Sequence, residues 1–283
     1  MKMKRKRILL IIVFMVFSAI AGYGETDVQK GTRIARMYFD MPAFGSVRAT
    51  IVLKIYDNQG KLRFRKKSAM AQRTENSGTP YKVDKMIGYF MEPADDMGNS
   101  LLYLSYPDRP VEKYFYLKSI RKIKKLIGPD KKLSFFGSDF TNSEAGMPEF
   151  RDFTYRYLKD AIVIFKGKEL ECYMVECLPI SEQVKNDLGY GKKIMYFEKK
   201  TLLGLKSEYF DENMNKTKET TVLSFIMKNN ARGERVFYAT GAEQRNLKTG
   251  TKSQLLFTDF LFEEDAGIKD DIFTIEYLTR KWW

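Results

Sequence analysis

The sequence predicts a mainly β fold with a few short helices, arranged as one large curved antiparallel sheet. Three observations carry that expectation. Aromatic residues make up 14% of the chain and recur in short alternating runs. Turn signals separate those runs. Several of the turns are tight enough to join neighbouring strands directly, so the order reads as a meander, which gives a curved sheet or an incomplete barrel.

Taken in order, Val28–Tyr38 has helical spacing, with Thr26 or Asp27 as N-cap. From Val47 to Tyr56 the apolar side chains Val47, Ala49, Ile51, Leu53 and Ile55 share one face; Arg48, Thr50, Lys54 and Tyr56 share the other, with Val52. Asp57-Asn58-Gln59-Gly60 then turns the chain into a second strand in which Leu62 and Phe64 oppose Arg63 and Arg65, a hairpin signature. Further strands are expected at Lys85–Met91, Ser100–Ser105, Lys113–Leu117, Ala161–Phe165, Glu171–Leu178 and Lys192–Glu198. They continue at Gly204–Phe210, Thr220–Met227, Arg235–Ala239 and Ser253–Phe262. Tyr155, Leu158 and Lys159 have helical spacing, so a second short helix is expected over Phe153–Lys159. Asp130–Arg151, rich in Gly, Ser, Asp and Asn, reads as a long loop with short turns, a length often associated with function. No low-complexity linker divides residues 25–283, which are expected to form one domain.

The first 24 residues read as a secretory signal peptide. Lys2, Lys4, Arg5, Lys6 and Arg7 precede an apolar run from Ile8 to Ala21, and small residues follow up to Gly24. As a helix that run spans roughly 21 Å, short of a hydrocarbon core of about 30 Å, so cleavage after Ala21 or Gly24 is favoured over an anchor. No cysteine lies near the cut, which excludes a bacterial lipoprotein. No other run approaches membrane-spanning length, so the mature chain is expected to be exported and soluble or peripheral.

The formal net charge is +13, and the mature chain stays basic without its leader. For an exported protein this points to anionic head groups or acidic partners rather than nucleic acid, or simply to solubility. The chain has no histidine, which removes Ser-His-Asp and Cys-His chemistry and imidazole zinc sites. Cys172 and Cys177 lie five apart on an expected strand and so face opposite sides, roughly 16 Å apart; a disulfide is disfavoured and two buried thiols are expected. No cofactor and no metal are called for.

Tyr114–Glu144, YFYLKSIRKIKKLIGPDKKLSFFGSDFTNSE, joins an aromatic strand to a basic segment and a Phe-Phe-Gly-Ser-Asp-Phe turn. Lys192–Phe210 with Tyr209-Phe210-Asp211, and Asn246–Leu278, complete a pattern that resembles the outer-membrane lipoprotein-sorting (LolA-like) family. The resemblance implies an unclosed antiparallel β-barrel with short helices over its open side, holding acyl chains between sheet and helices. It further implies a periplasmic, non-enzymatic and monomeric carrier of lipid or lipoprotein acyl chains, with inner- or outer-membrane transport proteins as possible partners.

On that reading the candidate lining is Ile51, Leu53, Ile55, Phe64, Phe90, Leu102, Leu104, Phe115 and Leu117, at alternating positions of consecutive strands. The same residues equally suit a packed core. Fourteen methionines and 21 phenylalanines suit an adaptable cavity. The basic segment Lys118, Arg121, Lys122, Lys124 and Lys125 either meets anionic head groups or protects a sheet edge. Gly137, Ser138 and Asp139 form either a structural turn, with Gly at positive φ, or a hinge at the cavity mouth. Trp282 and Trp283 are a weak interface signal. Two other functions compete with the carrier: a sensor or partner-binding module on the same fold, and an envelope enzyme using carboxylates such as Asp139 and Glu144.

Overall fold

A computed structural model describes residues 24–146 and 149–283. The expected leader therefore lies, except for its last residue, outside the described residues. The chain opens with helix α1 (Asp27–Phe39) and continues through β1 (Ser46–Tyr56), β2 (Leu62–Glu75), β3 (Val83–Glu92), β4 (Ser100–Tyr106), β5 (Arg109–Leu117) and β6 (Lys122–Lys125). A long crossing segment leads to β7 (Phe153–Phe165), β8 (Lys168–Pro179), helix α2 (Glu182–Leu188) and β9 (Lys192–Glu198). The order ends with β10 (Gly204–Phe210), β11 (Lys216–Asn229), β12 (Arg235–Asn246) and β13 (Lys252–Phe262).

All 13 strands form one sheet in the order β6-β5-β4-β3-β2-β1-β13-β12-β11-β10-β9-β8-β7. Every neighbouring pair is antiparallel, and only β1–β13 joins strands distant in sequence. This is a cyclic meander with one missing pairing, between β6 and β7. The barrel is unclosed, as the sequence predicts. The β1–β13 pairing follows from matching patterns: Leu53 sits opposite Leu255 and Ile51 opposite Phe257, so both apolar faces point inward together.

Helix α1 packs across β7 and β8 on the inner face. Thr26 is the N-cap expected: its Oγ1 accepts from the Gln29 amide at 3.2 Å, and Gln29 Oε1 accepts from the Thr26 amide at 2.9 Å, a reciprocal capping box. Ile34 and Ala35 bury against Tyr155, Val175, Cys177, Met195 and Phe197. Gly31 makes the approach possible, because a Cβ there would lie 2.4 Å from the Tyr157 amide nitrogen.

The connection from β6 to β7 is more than a surface loop. Its first part, Leu126–Gly146, runs as a strap over the inner face. Leu126, Phe135 and Phe140 share a buried cluster with Leu53, Ile55, Phe90, Leu101, Tyr103, Phe115 and Leu255, and Phe136 packs against it. The opposite face of β2–β5 is covered by the C-terminal segment, where Ile272, Phe273 and Leu278 pack on Ala71, Ile87 and Leu102. Trp283 stacks near Tyr89, with ring centroids 3.9 Å apart. Trp282 also packs in this outer cluster.

The helix expected over Phe153–Lys159 is instead the first half of β7. Phe153, Tyr155 and Tyr157 alternate as a strand opposite Pro179, Cys177 and Val175. The register then jumps from Tyr157–Val175 to Lys159–Met174, leaving Leu158 as an extra residue in a bulge. That bulge resets the alternation and mimics helical spacing at Tyr155, Leu158 and Lys159. Helix α2 was not expected, although Ser181 caps the Val184 amide and Gly189 ends the helix at φ 77°. Cys172 and Cys177 are free and buried in different clusters, one with Val163 and Leu205, the other with Val175 and Phe197. Burial pushes their thiols up to about 11 and about 12.

Candidate binding cavity

The strap divides the inner face in two. At one end its phenylalanines fill the space. At the other end a cavity of about 620 Å³ remains, between the C-terminal turn of α1, the β4–β5 turn and β12–β13. Its walls are mostly apolar: Phe39 at the end of α1 and Met41 just after it, Met86 on β3, and Val236, Tyr238 and Phe257 on β12 and β13. Its rim is charged. Arg36, Lys82, Arg109 and Arg151 line it, with Asp40, Asp84 and Glu149. That volume falls within the range of about 300–1,000 Å³ typical of small-ligand sites.

None of the nine residues of the expected lining borders this cavity. Leu53, Ile55, Phe90 and Phe115 belong to the cluster closed by the strap, and Ile51 packs between that cluster and the cavity end. Leu102 and Leu104 face the outer side, under the C-terminal segment. Both faces of β4 are covered, so Leu101 and Leu102 are both buried and alternation alone does not say which points inward. Phe64 sits opposite Ile55 but beyond the strap, and is 59% exposed. Leu117 is partly buried at the end of β5.

The Gly137-Ser138-Asp139 segment is part of the strap's anchorage. Phe136 and Gly137 both have positive φ, 48° and 81°, and Ser138 N–H donates to Phe135 O at 3.0 Å. This tight turn aims the Phe136 ring at Phe90, with centroids 4.2 Å apart. Asp139 Oδ2 accepts from Ser253 Oγ at 2.7 Å, and its other oxygen accepts from Thr251. Glu144 pairs with Lys218 at 2.6 Å and accepts from Gln244 Nε2 at 2.9 Å. The two carboxylates are thus fully engaged in holding the strap to β11–β13.

A buried charge lies behind the cavity. Lys113 on β5 is 4% exposed, and its Nζ donates to Asn142 O and Ser143 O at 3.4 and 3.3 Å. Burial pushes this amine down to about 8. Nearby, burial and the Glu149 carboxylate push Asp152 up to about 6. Among the described residues no cluster of carboxylates and thiols is placed to hold a metal ion.

The basic segment forms the free edge of the sheet. Lys122–Lys125 is β6, and all five of its expected contact residues are exposed. Lys124 pairs with Asp130 at 2.6 Å and Lys125 with Glu112 at 3.7 Å, whereas Lys118, Arg121 and Lys122 make no ion pair among the described residues. Ile120 and Ile127 stand exposed beside them. No helix among the described residues is long and apolar enough to cross a membrane.

Solved structures share this architecture. A Vibrio parahaemolyticus protein described as an outer-membrane lipoprotein-sorting domain superposes with a TM-score of 0.72 at 22% identity, covering 89% of this chain and 100% of its own. A DUF1329 family protein from Desulfovibrio piger gives 0.74 at 19% identity, covering 89% and 99%. A LolA superfamily protein from Nitrosomonas europaea gives 0.60 at 16%, covering 87% and 98%. At these identities the likeness establishes the fold, an unclosed LolA-like barrel. No curated protein sequence matches the chain. Residues 82–280 match the model of a family described as "Uncharacterized protein", and the chain, matched over more than two thirds of its length, belongs to that family and has the LolA-like fold.

Proposed function

We propose that the protein is a periplasmic, non-enzymatic carrier that shelters acyl chains of a lipid or lipoprotein in the cavity at the inner face of the sheet. The observation that carries this reading is the cavity itself, about 620 Å³ with apolar walls on an otherwise packed face. Each methylene buried there would contribute about 0.8 kcal/mol. Met41 and Met86 give the wall adaptable surface. The leader over residues 1–24 supplies export, and Lys118, Arg121 and Lys122, exposed at and just before the β6 edge, supply a contact for anionic membranes during loading or delivery.

The test is native mass spectrometry with lipid extraction on protein purified from a periplasm, repeated with Phe257→Lys. Co-purified lipid or acylated protein that is lost in the folded variant supports the carrier. A bare protein mass, with no uptake of a fluorescent fatty-acyl probe, overturns it and leaves the partner-binding module as the reading of the same fold. The mass of the exported chain also tests cleavage after Ala21 or Gly24.

A further inference from the structure

We infer that the cavity takes an amphiphile with an anionic head, a phosphate or carboxylate, held at the rim by Arg36, Arg109 and Arg151. The inference rests on the carrier reading and adds the chemistry of the head group. Two of the three rim carboxylates are already occupied. Asp84 accepts from Thr74 Oγ1 at 2.7 Å and faces Lys82 at 3.6 Å. Glu149 accepts from the Val111 amide at 3.2 Å and faces Lys131 at 3.8 Å.

The three arginines are not so satisfied. Arg109 and Arg151 make no ion pair among the described residues, and the nearest carboxylate to Arg36 is Asp40, at 3.9 Å. They are instead held in place by aromatic rings and carbonyls. The Arg109 guanidinium lies 3.8 Å from the centroid of Tyr106, and that of Arg36 lies 3.8 Å from the centroid of Phe150. Arg151, next to Phe150 in the chain, donates through one nitrogen to Tyr106 O at 3.3 Å and Pro107 O at 2.8 Å. Tyr106 therefore links Arg109 to Arg151, and Phe150 links Arg36 to the same patch.

Stacking uses the face of a guanidinium and leaves its N–H edge available. A planar edge of that kind pairs with carboxylate or phosphate through two parallel hydrogen bonds. The result is surplus positive charge with free donors, directly at the mouth of an apolar cavity. A neutral lipid or a peptide carbonyl would leave that charge uncompensated. A free anion would leave the apolar walls unused.

The experiment measures binding of dodecyl phosphate, dodecanoate and uncharged dodecanol, all below their aggregation concentrations, with inorganic phosphate as the head group alone. The anionic chains are expected to bind at least about tenfold more tightly than dodecanol. Replacing Arg36, Arg109 and Arg151 together by Gln should remove that preference and bring the anionic chains to the affinity of dodecanol for the same variant, with circular dichroism confirming the fold. A variant losing the same charge at Lys118, Arg121 and Lys122 should keep the preference, which separates a rim site from net charge. Equal binding of anionic and neutral chains, unaffected by the arginine changes, overturns the head-group assignment while leaving the carrier intact. Failure of every chain to bind overturns the carrier reading and this inference with it. Inorganic phosphate binding as tightly as dodecyl phosphate also overturns the amphiphile.

Discussion

Lys218 on β11 and Glu144 on the strap meet at 2.6 Å across the inner face, with side chains only 15% and 5% exposed. Glu144 also caps the Thr141 amide at 2.9 Å and accepts from Gln244, so one carboxylate ties the strap to two strands. Removing one partner of a largely buried pair leaves an uncompensated charge. Glu144→Gln should therefore destabilise the protein by about 3 kcal/mol in urea unfolding. Lys218→Met should cost as much alone but little more when added to Glu144→Gln, and a double-mutant cycle measures that coupling. Additive losses would show that the pair does not hold the strap.

Gly31 lets α1 lie on β7 at backbone distance. In Gly31→Ala the new methyl would meet backbone atoms of Arg156 and Tyr157 at 2.4–2.7 Å, and these cannot swing aside as a side chain would. Helix propensity favours Ala by about 1 kcal/mol, so the clash must outweigh that gain for the net effect to be negative. We expect a net loss of about 1–3 kcal/mol and a lower Tm. A raised Tm would mean that α1 is free to shift.

The meander was legible because its turns are chemically explicit. Asp57 Oδ1 accepts from the Gln59 and Lys61 amides and Gly60 has φ 78°, as a turn residue should. Cap chemistry likewise gave α1 its start at Thr26. The Leu158 bulge was not legible, because a single inserted residue changes phase without any special residue type. The position of the cavity was not legible for a different reason. Alternation says which residues share a face, but whether space remains over that face depends on where Phe135, Phe136 and Phe140 dock, more than 40 residues away from several of their neighbours. The rim arginines come from α1, the first residue of β5 and the segment before β7, and no local motif connects them.

Lys113 gives the stability a pH signature. Its folded value of about 8 lies below the ordinary 10.5, so the folded state carries the cost of a buried charge below pH 8 and sheds it as pH rises to 10.5. Lys113→Met should therefore stabilise the protein near pH 7, by about 1–3 kcal/mol after allowing for the lost bonds to Asn142 O and Ser143 O. The advantage should vanish toward pH 10.5. Asp152 acts in a lower window. Raised to about 6, its folded-state penalty is absent below pH 3.8 and complete above pH 6. Asp152→Asn should match the wild type in acid and exceed it at neutral pH. Unfolding curves from pH 4 to pH 10 check both signs, and parallel curves for wild type and variants would refute the burial argument.

Phe115 and Phe64 were given the same role by the sequence pattern, and the structure separates them. Phe115 is buried with its ring 5.4 Å from Phe136 and 6.0 Å from Phe135, so it seats the strap on the sheet. Phe115→Ala would leave a void between them and should cost about 3–5 kcal/mol. Phe64, more than half exposed beyond the strap, should cost less than about 0.5 kcal/mol as Phe64→Ala. Neither residue borders the cavity, so lipid uptake measured on folded protein should survive both changes. A folded Phe64→Ala protein that no longer takes up the fluorescent acyl probe would move the binding surface from the arginine-rimmed cavity to the β1–β2 hairpin end.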